Sequence, residues 1–333
     1  MHRAGRALLD GIEAAGGRIE VLAPPGVDDE RVDRTVWGPP GRAGDHVWEQ
    51  GALAAAVRRR PLLNLINTAP LALPRNILWT HDLGPLVGPA WYRGASAYGR
   101  LLLLSARRAE VVFAPSEQVR AELVGAGVDP GRTRVLRTAV DPRFAAVTRA
   151  AVDEVRARHR LERPYLLHLG WADPRKDVAT AVAAHLRVVG VRPHDLVLAG
   201  REHPIFAPVS VADAPSIRKV GYVDDDELPA LVAGAAALVF PSRYEGFGLP
   251  PVEALTAGTP ALVSDLPAHR EATWERACFL PVADVDAWAS AMASALDGDV
   301  AAAALPSWTS TDMTAQFLAG LPDDCLAGGV AQR

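Results

Sequence analysis

AALVFPSRYEGFGLPPVEALTAGTPALVSD, residues 236–265, sets the pattern for the whole chain. AALVF (236–240) is an apolar run of strand length. Gly246 and Gly248 flank Phe247, so the backbone after that strand can bend sharply and approach a ligand closely. Pro250 and Pro251 suit a first helical turn, where amide hydrogens lack intrahelical partners, and Gly258 stands where a carboxyl-terminal cap belongs. The segment therefore reads as strand, glycine-flanked loop and helix, and PALVSD (260–265) supplies the next strand. Glu245 falls on the loop and Glu253 in the first turns of the helix. A helix start carries unpaired amides and roughly half a positive charge, which makes a site for an anion. Carboxylates only accept hydrogen bonds, so two acids beside such a site suit the hydroxyls of a phosphorylated sugar or nucleotide.

The same alternation runs along the chain. RIEVLA (18–23), LLNLIN (62–67), NILWTH (76–81), VVFAPS (111–116) and TRVLRT (133–138) form a first series of strand patterns. YLLHLG (165–170), DLVLAG (195–200), IRKVGY (217–222), ALVFPS (237–242) and PALVSD form a second, with helical patterns between most of them. Strand–helix alternation of this kind predicts α/β architecture with parallel sheets covered on both faces. Two series predict two Rossmann-like domains, residues 1–155 and 156–305, followed by a helix and tail over 306–333. Ligands bind at the carboxyl ends of strands in such sheets, so a cleft between the domains is expected. The chain opens on a helical pattern, MHRAGRALLDGIEAAGG, where such a domain should open on a strand; either that strand has been lost or, the favoured expectation, it lies upstream of Met1.

Composition narrows the function. The 333 residues are 49% hydrophobic with a formal net charge of −4, which gives no support to nucleic acid as a partner. Cys278 and Cys325 are too few and too far apart for a disulfide framework or a cysteine zinc site, and fit a reducing compartment. No metal-ligand spacing, Walker loop or Gly-x-Ser-x-Gly elbow occurs. No apolar run reaches the roughly 18 residues of a membrane span, so a cytoplasmic protein is expected, with peripheral contact to a membrane surface as a further expectation.

LHLGWADPRKDVATAV (167–182) ends a strand at Gly170 and follows it with Arg175 and Lys176 before a helix. Paired cations there are placed to meet a diphosphate, arginine bidentately and lysine as a compact charge. Alone they also fit an ordinary surface turn, but Lys176 and Lys219 are the only lysines in the chain, which favours a functional lysine. His81, at the end of NILWTH, is placed to donate to a sugar hydroxyl or to stabilise transition-state charge. Asn67 and Thr68 end the neighbouring strand and read either as ligand contacts or as turn formers. Tyr222 and Val223 read either as a place where backbone meets a nucleotide base or as a strand edge.

Glu245-Gly-Phe-Gly-Leu-Pro-Pro-Val-Glu253 resembles the E-x7-E motif of retaining GT-B glycosyltransferases, specifically glycosyltransferase family 4. VWEQ (47–50), LINTAPL (65–71), THD (80–82), PSEQVRAEL (115–123), DPRKD (173–177), LAG (198–200), GYVDDDELPAL (221–231), HRE (269–271) and SW (307–308) fall in that family's order. The amino-terminal pieces look most like mannosyl- and rhamnosyltransferases of polysaccharide assembly. The resemblance implies two Rossmann-like domains facing across a cleft. It implies a nucleotide-diphosphate sugar as donor, GDP-mannose as the first expectation, and a glycan or lipid-linked acceptor at the inner face of a membrane. Arg175 and Lys176 would hold the diphosphate; Glu245, with the amides of Phe247 and Gly248, would hold the sugar hydroxyls. Gly246 and Leu249 would complete that donor loop, Glu253 would take the ribose hydroxyls, and His81 would reach toward the sugar. Neither a metal nor a cofactor would be needed, and the anomeric configuration would be retained. The family's first strand and glycine-rich loop have no counterpart before His2, and Thr138-Ala139 stands where the family has Asn-Gly. The alternatives are a nucleotide-binding relative acting as a scaffold without efficient transfer, and, with less support, a nucleotide-sugar epimerase.

Overall fold

A computed structural model describes residues 3–38, 46–58, 60–322, 325 and 330–332. The expectations attached to Met1 and His2, and part of the tail, lie outside these residues. The chain divides into two compact units. The first comprises residues 1–86, 96–139 and 308–333; the second comprises 87–95 and 140–307. The chain thus passes into the second unit at Val140, ahead of the boundary expected at 156. Apolar matching explains the difference: Phe144 and Val155 are buried in the second unit's core, so the arginine-rich helix Arg149–Arg158 belongs there. The carboxyl-terminal helix Ser310–Ala319 is not a separate appendage. Met313 and Phe317 enter the first unit's core, and the Trp308 indole donates to the Arg137 carbonyl at 3.2 Å.

The second unit is built on β7 (Tyr165–Leu169), β8 (Asp195–Ala199), β9 (Ile217–Gly221), β10 (Ala237–Phe240), β11 (Ala261–Ser264) and β12 (Cys278–Leu280). They form one parallel sheet in the order β12-β11-β10-β7-β8-β9. β7, β8, β10 and β11 are buried at every position, as expected of parallel strands covered on both faces. Alternate residues feed opposite cores: Tyr165, Leu167 and Leu169 enter one, Leu166 the other. Strand order reverses between β7 and β10, so loops leaving those two strands diverge and open a crevice at their carboxyl ends.

The first unit holds β1 (Ile19–Ala23), β2 (Arg34–Thr35), β3 (Leu62–Asn64), β4 (Asn76–Trp79), β5 (Val111–Ala114), β6 (Thr133–Val135) and β13 (Val330–Gln332). Its parallel sheet runs β2-β1-β13-β3-β4-β5-β6, with β13, from the carboxyl end, lying between β1 and β3. Leu63, Ile77, Trp79 and Phe113 pack on one face, and Leu78, Val112 and Ala114 on the other. All ten strands expected from sequence are present; β2, β12 and β13 are additional. Among the described residues no helix is long and apolar enough to cross a membrane.

Candidate active site

The strand end at Gly170 begins the site. Gly170 and Gly200 close β7 and β8 with positive φ, and a Cβ on Gly200 would stand 3.2 Å from the Gly170 Cα. Glycine at position 200 is required because two strand ends approach each other there. The loop after β7 then makes a short 3-10 turn, Pro174–Lys176, capped by Asp173, whose carboxylate accepts from the Arg175 amide at 2.9 Å.

Four contacts hold that turn. Asp173 also takes the Nε–Nη2 edge of the Arg175 guanidinium, at 3.1 and 2.7 Å. The Lys176 carbonyl accepts from Nε2 of the buried His168 on β7, at 3.1 Å. Burial pushes the His168 pKa down to about 4, so the ring is neutral there at ordinary pH. Asp177, in the left-handed region at φ 46°, joins Thr180 at 2.9 Å and the Arg243 guanidinium at 3.0 Å. Finally, the Arg243 amide donates to the Arg175 carbonyl at 2.8 Å, fastening the loop after β7 to the loop after β10.

Lys176 closes the crevice. Its Nζ lies 2.5 Å from Glu245 Oε1 and 4.5 Å from the centre of the Phe240 ring. Both members of the pair are largely buried, at 14% and 8% side-chain exposure. Burial pushes the Glu245 carboxyl up, but the charges of Lys176 and Arg175 outweigh it and hold the pKa below the ordinary carboxylate value. Glu245 is therefore a carboxylate, an acceptor only, beside two cations at the sheet's switch point.

The loop then turns at Gly248, φ 93°, into the helix Leu249–Thr256. A Cβ on Gly248 would meet the buried His269 ring at 2.7 Å, so both conformation and space exclude a side chain. His269 is fixed by its Nδ1, which donates to the Ser264 carbonyl at 2.8 Å. Because the helix starts at Leu249, Pro250 and Pro251 occupy its second and third positions and bring no N–H. This helix start therefore offers fewer free amides to an anion than the sequence suggested. Glu253 is buried in the helix at 2% exposure. At the far end Gly258 has φ 77°, and the Gly258 and Thr259 amides return to the Leu255 and Ala254 carbonyls, completing a glycine cap. Along the sheet, Val223 is buried, and Tyr222 is 58% exposed with its ring 5.1 Å from the Arg201 guanidinium.

The structure thus places Arg175, Lys176, Glu245, Gly246, Phe247 and Gly248 on the loops after β7 and β10 of the second unit, and Leu249 and Glu253 on the helix that follows β10. Asn67, Thr68 and His81 gather in the first unit, after β3 and β4. Asn67 Oδ1 accepts from the His81 amide at 2.7 Å, and the His81 Nε2 donates to the Leu65 carbonyl at 2.7 Å. Burial lowers the His81 pKa. Thr68 donates to the buried Glu49 at 2.9 Å. Asp173, Asp177, Arg243, His168 and His269 were not singled out from sequence. The acids flanking Arg-Lys in DPRKD carried a readable charge pattern and His269 opens the quoted HRE stretch, whereas Arg243 and His168 carried no signal of their own.

Residues 163–298 match the protein family described as Glycosyl transferases group 1. The O-antigen chain mannosyltransferase B of Escherichia coli is 32% identical over 142 residues, 40% of this chain and 37% of that protein. The chain therefore matches well under half the length of this curated relative. Among solved structures, HepE of Anabaena in complex with UDP superimposes with a TM-score of 0.62 at 15% identity, covering 96% of this chain and 97% of HepE. Sucrose-phosphate synthase of Thermosynechococcus elongatus gives 0.67 at 20% identity, covering 97% and 90%. The family match is confined to residues 163–298, and the chain as a whole has the GT-B fold that its sequence resemblance implied.

Proposed function

We propose that the protein is a retaining, metal-independent hexosyltransferase that moves a sugar from a nucleotide-diphosphate donor to a glycan or lipid-linked acceptor in polysaccharide assembly. The observation that carries this reading is the buried Lys176–Glu245 pair beside Arg175 at the switch point of the second sheet. An ammonium has three donors, so Lys176 can keep Glu245 and still reach a phosphate oxygen. Arg175 and Lys176 hold the donor diphosphate and meet the negative charge that grows on it as the bond to the anomeric carbon breaks. They supply the positive charge that a metal would otherwise bring. Glu245 and the amides of Phe247 and Gly248 accept and donate to the sugar hydroxyls, and Glu253 takes the ribose. The acceptor hydroxyl attacks on the leaving group's own face, and the departing phosphate takes its proton. GDP-mannose is the proposed donor, in keeping with the mannosyltransferase relative, and the inner face of a membrane is the proposed place of action.

The test is a thermal-shift panel of GDP, UDP, dTDP and ADP, each shift taken from the protein's own ligand-free melting temperature. A nucleotide at a hundred times its dissociation constant adds about 2.7 kcal/mol. One nucleotide is expected to stabilise the wild type strongly and Lys176→Ala much less. No shift with any of the four would sink the donor-site reading.

A further inference from the structure

The segment Pro89–Arg93 lies between two stretches of the first unit in sequence, yet it packs within the second. It pairs with the loop after β8. The Arg93 amide donates to the Ile205 carbonyl at 2.8 Å, and the Ala207 amide to the Trp91 carbonyl at 2.9 Å, an antiparallel bridge centred on Tyr92 and Phe206. The Tyr92 and Phe206 rings touch each other at 5.4 Å between centroids. Each also lies 5.6 Å from the Arg175 guanidinium carbon. One residue earlier, Trp91 stacks on Tyr244 at 6.4 Å, immediately before Glu245. A single strap therefore touches both loops of the candidate phosphate site.

We propose that Tyr92, seated by Phe206, is a positioning residue for the donor diphosphate, acting through Arg175; this rests on the donor-site reading above. Asp173 holds one edge of the guanidinium, and rotation about that edge sets the plane of the group. Aromatic faces restrain it, because a guanidinium is attracted to the ring quadrupole and packs flat against it. Tyr92 and Phe206, tilted 49° to each other, bracket the guanidinium and limit the orientations in which Arg175 presents itself to a phosphate. A bidentate arginine contact depends on that plane, whereas the point charge of Lys176 does not. Tyr92 consequently matters for the terminal phosphate of a nucleoside diphosphate and not for the nucleoside.

Calorimetric titration with the di- and monophosphates of guanosine, uridine and adenosine tests this. It uses the wild type, Tyr92→Ala, Tyr92→Phe, Arg175→Ala and the Tyr92→Ala/Arg175→Ala double variant. For the base that binds, Tyr92→Ala is expected to weaken the diphosphate about tenfold, or about 1.4 kcal/mol. The monophosphate should stay within about twofold, since that contact does not reach Arg175. Tyr92→Phe keeps the ring and should retain affinity, and Tyr92→Ala should add no loss once Arg175 is gone. An equal loss for mono- and diphosphate, or a full further loss in the Arg175→Ala background, overturns the positioning role while the donor site stands. A wild type that does not distinguish a diphosphate from its monophosphate overturns both.

Discussion

The two sheets use the same parts in different chain order. In the second, the strand beside the switch point is β7, and the loop that leaves it brings Arg175 and Lys176 directly to the crevice. In the first, the corresponding place between β1 and β3 is held by β13, from the other end of the chain. The candidate residues of the first unit accordingly leave β3 and β4 and are tied to their own backbone: Asn67 to His81, His81 to Leu65. The second unit holds its charges differently, by burying a lysine against a glutamate. Strand order therefore governs where charge can be presented, and the burial around it governs how firmly it is held.

The largest expected effect tests that firmness. Removing one member of a buried ion pair strands the other, at a cost of about 3–5 kcal/mol. Lys176→Met and Glu245→Gln should each destabilise the second unit on that scale in urea unfolding, and the double variant should recover most of the loss. The contrast in the first unit is Thr68→Val, which removes one hydrogen bond to Glu49 and should cost about 1.5–3 kcal/mol. Single variants at Lys176 and Glu245 that each lose less than Thr68→Val would show that the second site is not the more tightly held.

Acid should also press harder on the second unit, which among the described residues holds five histidines whose pKa burial lowers, against His81 in the first. Burial holds the pKa values of His168 and His185 down at about 4, both in the second unit. His185 is packed against His194 at 2.8 Å between ring nitrogens and against Ser216 at 2.8 Å. The unfolded chain binds these protons as pH falls below about 6.5, while the folded protein refuses them until about 4. Stability is full above that window and falls through it, by about 2 kcal/mol per ring between pH 7 and pH 5. The depressed carboxylate of Glu245 adds its own loss only as pH falls below the ordinary glutamate range. Urea midpoints followed across that interval should decline, and His185→Gln should lessen the decline by about 2 kcal/mol while the depressed rings of His159, His168, His194 and His269 keep the rest of it. A flat profile in the wild type would remove the buried-histidine account.

How much of this was legible before the structure follows from the range over which each signal acts. The ten expected strands are local apolar runs, and each appears, usually a residue or two shorter because the predicted ends were turn residues such as Thr138 and Ser116. Arg34–Thr35 is two exposed polar residues and β13 has no apolar run, so only pairing with a neighbour makes either a strand. The loops of the candidate site were legible because glycine, proline and charge coincide at strand ends. The clamp around them was not: Arg243 meets Asp177, and Tyr92 and Phe206 meet Arg175, across separations that leave no local pattern. The division expected at 155/156 followed the gap between the two strand series, whereas two buried valines place the helix Arg149–Arg158 with the second unit.

The smallest effect concerns β13. Its register pairs Ile19, Glu20 and Val21 with residues 330–332 on one side, and Leu62 and Leu63 with 331–332 on the other. Deleting residues 330–332 unpairs both neighbours, and at a net 0.5–1.5 kcal/mol per hydrogen bond the local loss should be about 1–2 kcal/mol. Hydrogen exchange reads this locally: amides of β1 and β3 should exchange about tenfold faster, while those of β7 and β8 stay unchanged. The two sheets then differ in one testable respect. The second is closed by consecutive chain and keeps its protection; the first is closed by a strand from the far terminus, and its centre opens when that strand is taken away. Unchanged protection in β1 and β3 would mean that those strands hold without β13, and the contrast between the sheets would reduce to their buried charges.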